Sequence, residues 1–193
     1  MPGNVRPVES ERDGLLAYLA QQRYVLRLAA YGLTNDQART PLAPGGLSVG
    51  GLIKHVANVE ESWIDMVLQQ ESQSGEADYE TGFRLGADET LAGALDRYEQ
   101  VAGRTESVIA AIDDLGYPVP VPKGVPWFPD DVDAWSVRWV LLHLIQETAR
   151  HAGHADIARQ AVDGATAFPL MAAAEGWPAT PWMTPWTPQE SSS

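Results

Sequence analysis

Apolar residues recur every three or four positions along four stretches of this chain, separated by polar segments rich in glycine and proline. The first stretch follows Ser10, which with Asp13 three residues on has the form of a capping box. From there to about residue 33, Leu15, Leu16, Leu19, Val25, Leu26, Ala29 and Leu33 mark one face of a helix. Thr34 and Gln37 could cap a short helical turn, and the run PLAPGG then breaks the chain. Ser48 restarts it. A second helix is expected over about 49–70, with Leu52, Ile53, Val56, Val59, Trp63, Met66 and Val67 as its apolar set. Gly50 and Gly51 fall in its first turn, where each costs roughly 1 kcal/mol of helix propensity relative to alanine. Either another backbone or a ligand approaches closely there, or two helices cross tightly.

Residues 71–87 are polar, contain Gly75, Gly82 and Gly86, and read as a surface loop. Asp88 is placed to cap a third helix over about 89–114, carrying Leu91, Leu95, Tyr98, Val101, Val108, Ile109 and Ile112. The segment GYPVPVPKGVPWFPDDVDAW follows. Its prolines at 118, 120, 122, 126 and 129 forbid a helix or an interior strand, and a crossover this long is often functional or wraps a groove. The fourth stretch, SVRWVLLHLIQETARHAGHADIARQAVDG, spans 136–164 without a proline. Ser136 is a good N-cap and Gly164 a good terminator. A short helix is expected at 168–175, then a tail in which Trp177, Trp182 and Trp186 are spaced by prolines, with disordered last residues. Four long helices with no convincing strand pattern predict an all-α four-helix bundle with one long crossover. The expectation is a single domain over 1–193, its core at about 10–176 and an extended Trp/Pro-rich tail at 177–193.

Charge and composition narrow the partners. The net charge of −13 lacks the basic face that nucleic acid or an anionic membrane requires. No cysteine is present, so disulfides, thiolate metal sites and a cysteine nucleophile are excluded. Thiol chemistry would need a thiol brought in by a cosubstrate. The opening residues hold no apolar h-region and no run reaches membrane-span length, so the expected compartment is the cytoplasm, with no membrane partner.

Candidate chemistry gathers on the fourth stretch, which carries three of the four histidines. At ~100° per residue, His143, Glu147, His151 and His154 share about 80° of arc on one helix. Among Leu, Val, Ile and Ala such a stripe is costly unless hydrogen-bonded, paired or metal-bound. Glu147 and His151, four residues apart, are spaced to chelate one ion, and His55 on the second helix is a natural third ligand. Three such ligands with an open position have the form of a catalytic zinc site, although the donors also suit nickel, iron(II) or manganese. The residues alone leave a satisfied polar core network as the rival reading. His154 could be a ligand, a hydrogen-bond partner of the ligands or a general base, whereas His143 fits a core residue better than a ligand. Arg150 could meet a substrate carboxylate or form a surface salt bridge; Asn58 and Glu61 could support the site or face solvent. Arg138, in the first turn of its helix, points away from the stripe. Trp127, Trp177, Trp182 and Trp186 could line a pocket or simply dock on the bundle.

The strings LSVGGLIKHVANVEESW and RWVLLHLIQETARHAGHADIARQAVDG resemble the DinB/YfiT-like superfamily of metal-binding four-helix bundles. More closely they resemble its actinobacterial mycothiol-dependent transferase branch, which is similar to the mycothiol-dependent maleylpyruvate isomerase. The resemblance covers almost the whole chain. It departs from the superfamily's common three-histidine set and matches a His/Glu/His set, implying His55, Glu147 and His151 as ligands of a divalent metal, zinc first. It also implies mycothiol as cosubstrate, held as a metal-bound thiolate that attacks an electrophilic small molecule, and frequent homodimers. His154, on the same stripe, could take the thiol proton. Two other functions fit a bare His/Glu/His set: a thiol-independent metal-dependent hydrolase or isomerase, and a non-catalytic metal-binding protein.

Overall fold

Each long helix carries buried polar residues among its apolar ones, and one from each helix contributes to a layer in the core. The computed structural model describes residues 3–43, 46–70 and 81–188. Its helices are α1 (Glu11–Ala29), α2 (Asn35–Arg39), α3 (Val49–Val67), α4 (Leu91–Ala110), α5 (Val137–Asp163) and α6 (Ala167–Ala174). Strands β1 (Pro118–Pro120) and β2 (Ala134–Ser136) lie between α4 and α5. This is an all-α bundle: α1 packs along α5, and α3 packs against both α5 and α4. One apolar cluster joins Leu26, Leu52, Ile53, Val56, Ala152 and Ala155; the other joins Leu19, Trp63, Ile64, Ile109, Val140 and Leu144. Between them lie buried Arg23, Glu60, Thr105 and Thr148, one from each long helix. Arg23 donates to both oxygens of Glu60, at 3.1 and 2.5 Å, and Thr105 Oγ1 donates to Glu60 Oε1 at 2.6 Å. Thr148 faces the hydroxyl of buried Tyr98 on α4.

The seam between α1 and α4 is closed by side chains. Arg12 donates to the carbonyls of Ile109, Ile112 and Asp113, Arg23 reaches Glu106, and Arg27 pairs with Glu99. No helix among the described residues is long and apolar enough to cross a membrane.

Several helix limits differ from expectation, each for a tertiary reason. The first helix stops at Ala29 instead of continuing to about residue 33, because fully buried Arg159 takes the carbonyls of Ala29 and Tyr31 at 2.9 and 2.7 Å. The second ends at Val67, not near residue 70; Gln69 adopts a positive φ of 54°. The third is capped by Thr90, not Asp88, since Glu89 is held outside the helix by Lys54 and the Gly86 amide. Ser136 and Gly164 bound α5 as expected, Gly164 with φ 75°. Ser10 accepts from the Asp13 amide, but Asp13 reaches back to the Glu9 amide instead of that of Ser10. Thr34 and Gln37 do form a reciprocal capping box at α2.

A strand pair appears where none was expected. β1 and β2 are antiparallel, with Val119 opposite Trp135. Proline is tolerated because a two-stranded ribbon consists only of edges. The anticipated surface loop 71–87 is described from residue 81 onward; 71–80, like the tail end 189–193 expected to be disordered, lie outside the described residues. In the tail, Trp186 docks: its amide donates to Pro169 and its ring lies 4.8 Å from the Arg159 guanidinium. Trp182 and Trp127 are largely exposed.

Candidate metal centre

His55 belongs to the second turn of α3, a helix started by Ser48 and flanked at this point by Ile53 and Val56 in the core. Glu147 and His151 stand one turn apart on α5 and face it. His151 Nε2 donates to Glu147 Oε1 at 2.9 Å, and His55 Nε2 lies 3.6 Å from the same oxygen. Both histidines are 8% exposed. The hydrogen bonds from His151 and then His55 hold the Glu147 carboxyl well below the usual carboxylate range, against the opposing effect of burial. Glu147 is therefore ionised at neutral pH.

A loop residue completes the wall. Phe83 stacks on the His55 ring, 3.7 Å away and 17° from parallel, and lies 6.0 Å from His151. The glycine pair explains how it gets there. A Cβ on Gly51 would fall 1.9 Å from the Phe83 carbonyl oxygen, and one on Gly50 would fall 2.9 Å from Leu85 Cδ2 and 3.0 Å from the Ala38 carbonyl oxygen. The close approach is thus made by another backbone, and it places the aromatic ring over a histidine.

The three side chains fit a divalent ion. Each offers one ligand atom, and those atoms lie within 4.8 Å of one another. A tetrahedral zinc ion with ligands at about 2.0–2.1 Å spaces them roughly 3.3 Å apart. The 3.6 Å separation is already close to that, and the 2.9 Å hydrogen bond needs only a small opening. Two imidazoles and a carboxylate, without sulfur, make a donor set of the open catalytic kind. The Glu147 side chain, 21% exposed against 10% for the two histidines, marks the solvent side.

A family model described as Mycothiol-S-transferase matches residues 14–164. The chain belongs to the mycothiol-S-transferase family. No curated protein matches it. Among solved structures, the crystal structure of the conserved protein of locus from Enterococcus faecalis is similar, with a TM-score of 0.65 and 16% identity over 82% of this chain and 100% of that one. That likeness is one of fold.

The remaining residues singled out in this member of the family separate clearly. His154 is outside the three-residue group; its ring lies 5.6 Å from that of His151, and its Nδ1 is buried with no hydrogen-bond partner, as is Nδ1 of His151. His143 packs among aromatic rings, 4.5 Å from Trp63, and burial lowers its pKa against the pull of Glu147. Arg150 is exposed on α5. Arg138 pairs with Glu11, while Asn58 and Glu61 both bind Arg97 on the bundle surface. The clefts lined by α1 and α4, of about 420 and 520 Å³, contain none of the metal-group residues. Sequence reasoning missed Phe83, for which Gly50–Gly51 was the available signal, and the stacking of Trp135 and Trp139, whose four-residue spacing was visible.

Proposed function

We propose that this chain is a metal-dependent mycothiol S-transferase, with His55, Glu147 and His151 holding zinc. The observation that carries the reading is the meeting of three ligand atoms from two helices, those of two buried histidines and a partly exposed carboxylate, in a member of this family. When bound, zinc would stabilise the thiolate form of a thiol at neutral pH, where a free thiol with pKa near ~8.5 is mostly protonated. The chain's own groups do the rest. Glu147 supplies a negative charge that makes the site attractive to a cation. Phe83 shields His55 from water. His154, whose ring lies 5.6 Å from that of His151 on the same helix, accepts the thiol proton. Arg150, exposed one turn before His154, meets a carboxylate on the incoming electrophile. Homodimer formation fits the exposed apolar residue Ile157 on α5.

Two measurements test this. Elemental analysis of the isolated protein should find one zinc per chain, with Glu147→Gln lowering zinc affinity more than about a hundredfold. The metal-loaded protein should bind mycothiol and conjugate it to a reactive alkyl halide. Metal-loaded protein that neither binds mycothiol by calorimetry nor accelerates conjugation refutes the transferase reading.

A further inference from the structure

Trp135, Trp139 and His143 follow one another at four-residue spacing, and their rings stack. Trp135 and Trp139 are 4.5 Å apart and 5° from parallel; Trp139 and His143 are 5.2 Å apart and 3° from parallel. Trp63 of α3 touches all three rings, at 5.3, 5.5 and 4.5 Å. Phe128 of the crossover meets Trp135 edge-on, 5.1 Å away. The same four-residue step continues to Glu147 and His151. Four helical residues rise about 6 Å, so the ladder begins about 6 Å from Glu147, and its ring-to-ring steps of 5.2 and 4.5 Å carry it on from there to Trp135, in the strand that precedes the helix.

A structural role alone does not require this ladder to meet water. Trp139 is 38% exposed, Leu142 beside it 52%, and Trp127 in the adjoining crossover 70%. Exposed aromatic surface continuous with a polar site is characteristic of ligand binding. Arg138, the cation among these residues, is already paired with Glu11. Beside the metal group the ladder thus presents aromatic surface, with the nearby Arg138 charge neutralised by Glu11. A planar ring laid across the rims of stacked rings makes favourable edge-to-face contacts.

The geometry points to this ladder as the seat of the electrophilic cosubstrate, which carries a planar apolar body trailing about 6–12 Å from its reactive carbon. The reaction rests on the transferase reading above; the binding does not. In the step served, the mycothiol sulfur forms a bond to the electrophilic carbon. The leaving group departs with the electron pair of its own bond, and the thiol proton passes to His154.

The test uses two probes with one reactive carbon, iodoacetamide and N-(1-naphthyl)iodoacetamide, iodide leaving from each. With metal-loaded protein and mycothiol, the naphthyl probe should show about a tenfold higher kcat/KM, after correction for the uncatalysed rates. Trp139→Ala should remove most of that ratio while zinc content stays at the wild-type level; Trp139→Leu serves if the alanine variant does not fold. Unreactive N-(1-naphthyl)acetamide should bind wild type by calorimetry and bind Trp139→Ala at least fivefold more weakly. If neither iodo compound is turned over, the transferase reading fails and the calorimetry still decides the ladder. Equal kcat/KM for the two probes, or naphthyl binding indifferent to Trp139, overturns the proposal. So does a dimer that Trp139→Ala splits in the absence of naphthyl binding, which would assign the face to a second copy of the chain.

Discussion

Replacing Gly51 by alanine tests the tie between the loop and the metal group. The added Cβ would sit 1.9 Å from the Phe83 carbonyl oxygen and 2.7 Å from its carbonyl carbon. Carbon and oxygen normally approach no closer than about 3.3 Å, so the loop must retreat by roughly 1.4 Å. Both obstructing atoms are backbone, and no change of rotamer relieves the contact. In an unobstructed helix the same substitution gains about 0.8–1.0 kcal/mol. Here the retreat pulls Phe83 from His55 and disturbs Leu85, which is buried against α3. A fully buried Phe or Leu side chain is worth about 1.5–3 kcal/mol, so loss of half of buried Leu85 and of part of half-buried Phe83 costs about 2 kcal/mol. The net expectation is destabilisation by about 1 kcal/mol. His55 also loses its stacked wall, worth about 0.5–1.5 kcal/mol, which weakens zinc binding by up to about tenfold. Urea unfolding of the metal-free protein reads the first effect, and competition with a chromogenic chelator reads the second. Gly103→Ala is the control: Gly103 is exposed in α4, a Cβ there meets nothing within 4 Å, and the variant should gain stability. A Gly51→Ala protein stabilised like the control, with unchanged zinc affinity, would refute the reasoning.

Two further outcomes follow from buried charge. Glu60→Ala leaves the Arg23 guanidinium in the core beside an unpartnered Thr105 hydroxyl and should cost about 3–5 kcal/mol in urea unfolding, whereas the Arg23→Met/Glu60→Leu pair should recover most of that loss. Asp156 on α5 has its pKa raised by burial. In the folded state it binds a proton more readily than in the unfolded chain, so stability falls as pH rises from the unfolded value of about 3.9 through the folded one. Asp156→Asn should therefore raise the melting temperature at pH 7 and leave it nearly unchanged at pH 3; equal shifts at both pH values would remove the desolvation argument.

Much of the architecture was legible because periodicity and capping are local. Ser136 and Gly164 bound α5 as their residue types predict, and the four-residue step between Glu147 and His151 survives as a 2.9 Å contact. The misread helix limits depend on remote partners. Nothing near Leu33 announces that Arg159, 130 residues from Ala29, will take the carbonyl there. Nothing near Asp88 says that Lys54 will hold Glu89 in the loop. The two glycines were visible, but a glycine pair only reports that something comes close. Identifying that neighbour as the backbone of Phe83 required the fold.

The placement of the metal group illustrates why the polar interruptions matter. His55 comes from α3 and Glu147 from α5, so their meeting depends on how far one helix is slid along the other. Glu60 lies five residues beyond His55, and Thr148 directly follows Glu147. Arg23 and Thr105 both hold Glu60, from α1 and α4. An apolar face tolerates a shift of one turn at little cost, because leucine replaces leucine. A polar layer does not, since the same shift would strand the Glu60 charge among apolar side chains. In a single sequence each of these residues looks like a lapse in an amphipathic pattern. Together they fix the register that brings the two imidazoles and the carboxylate within reach of one ion.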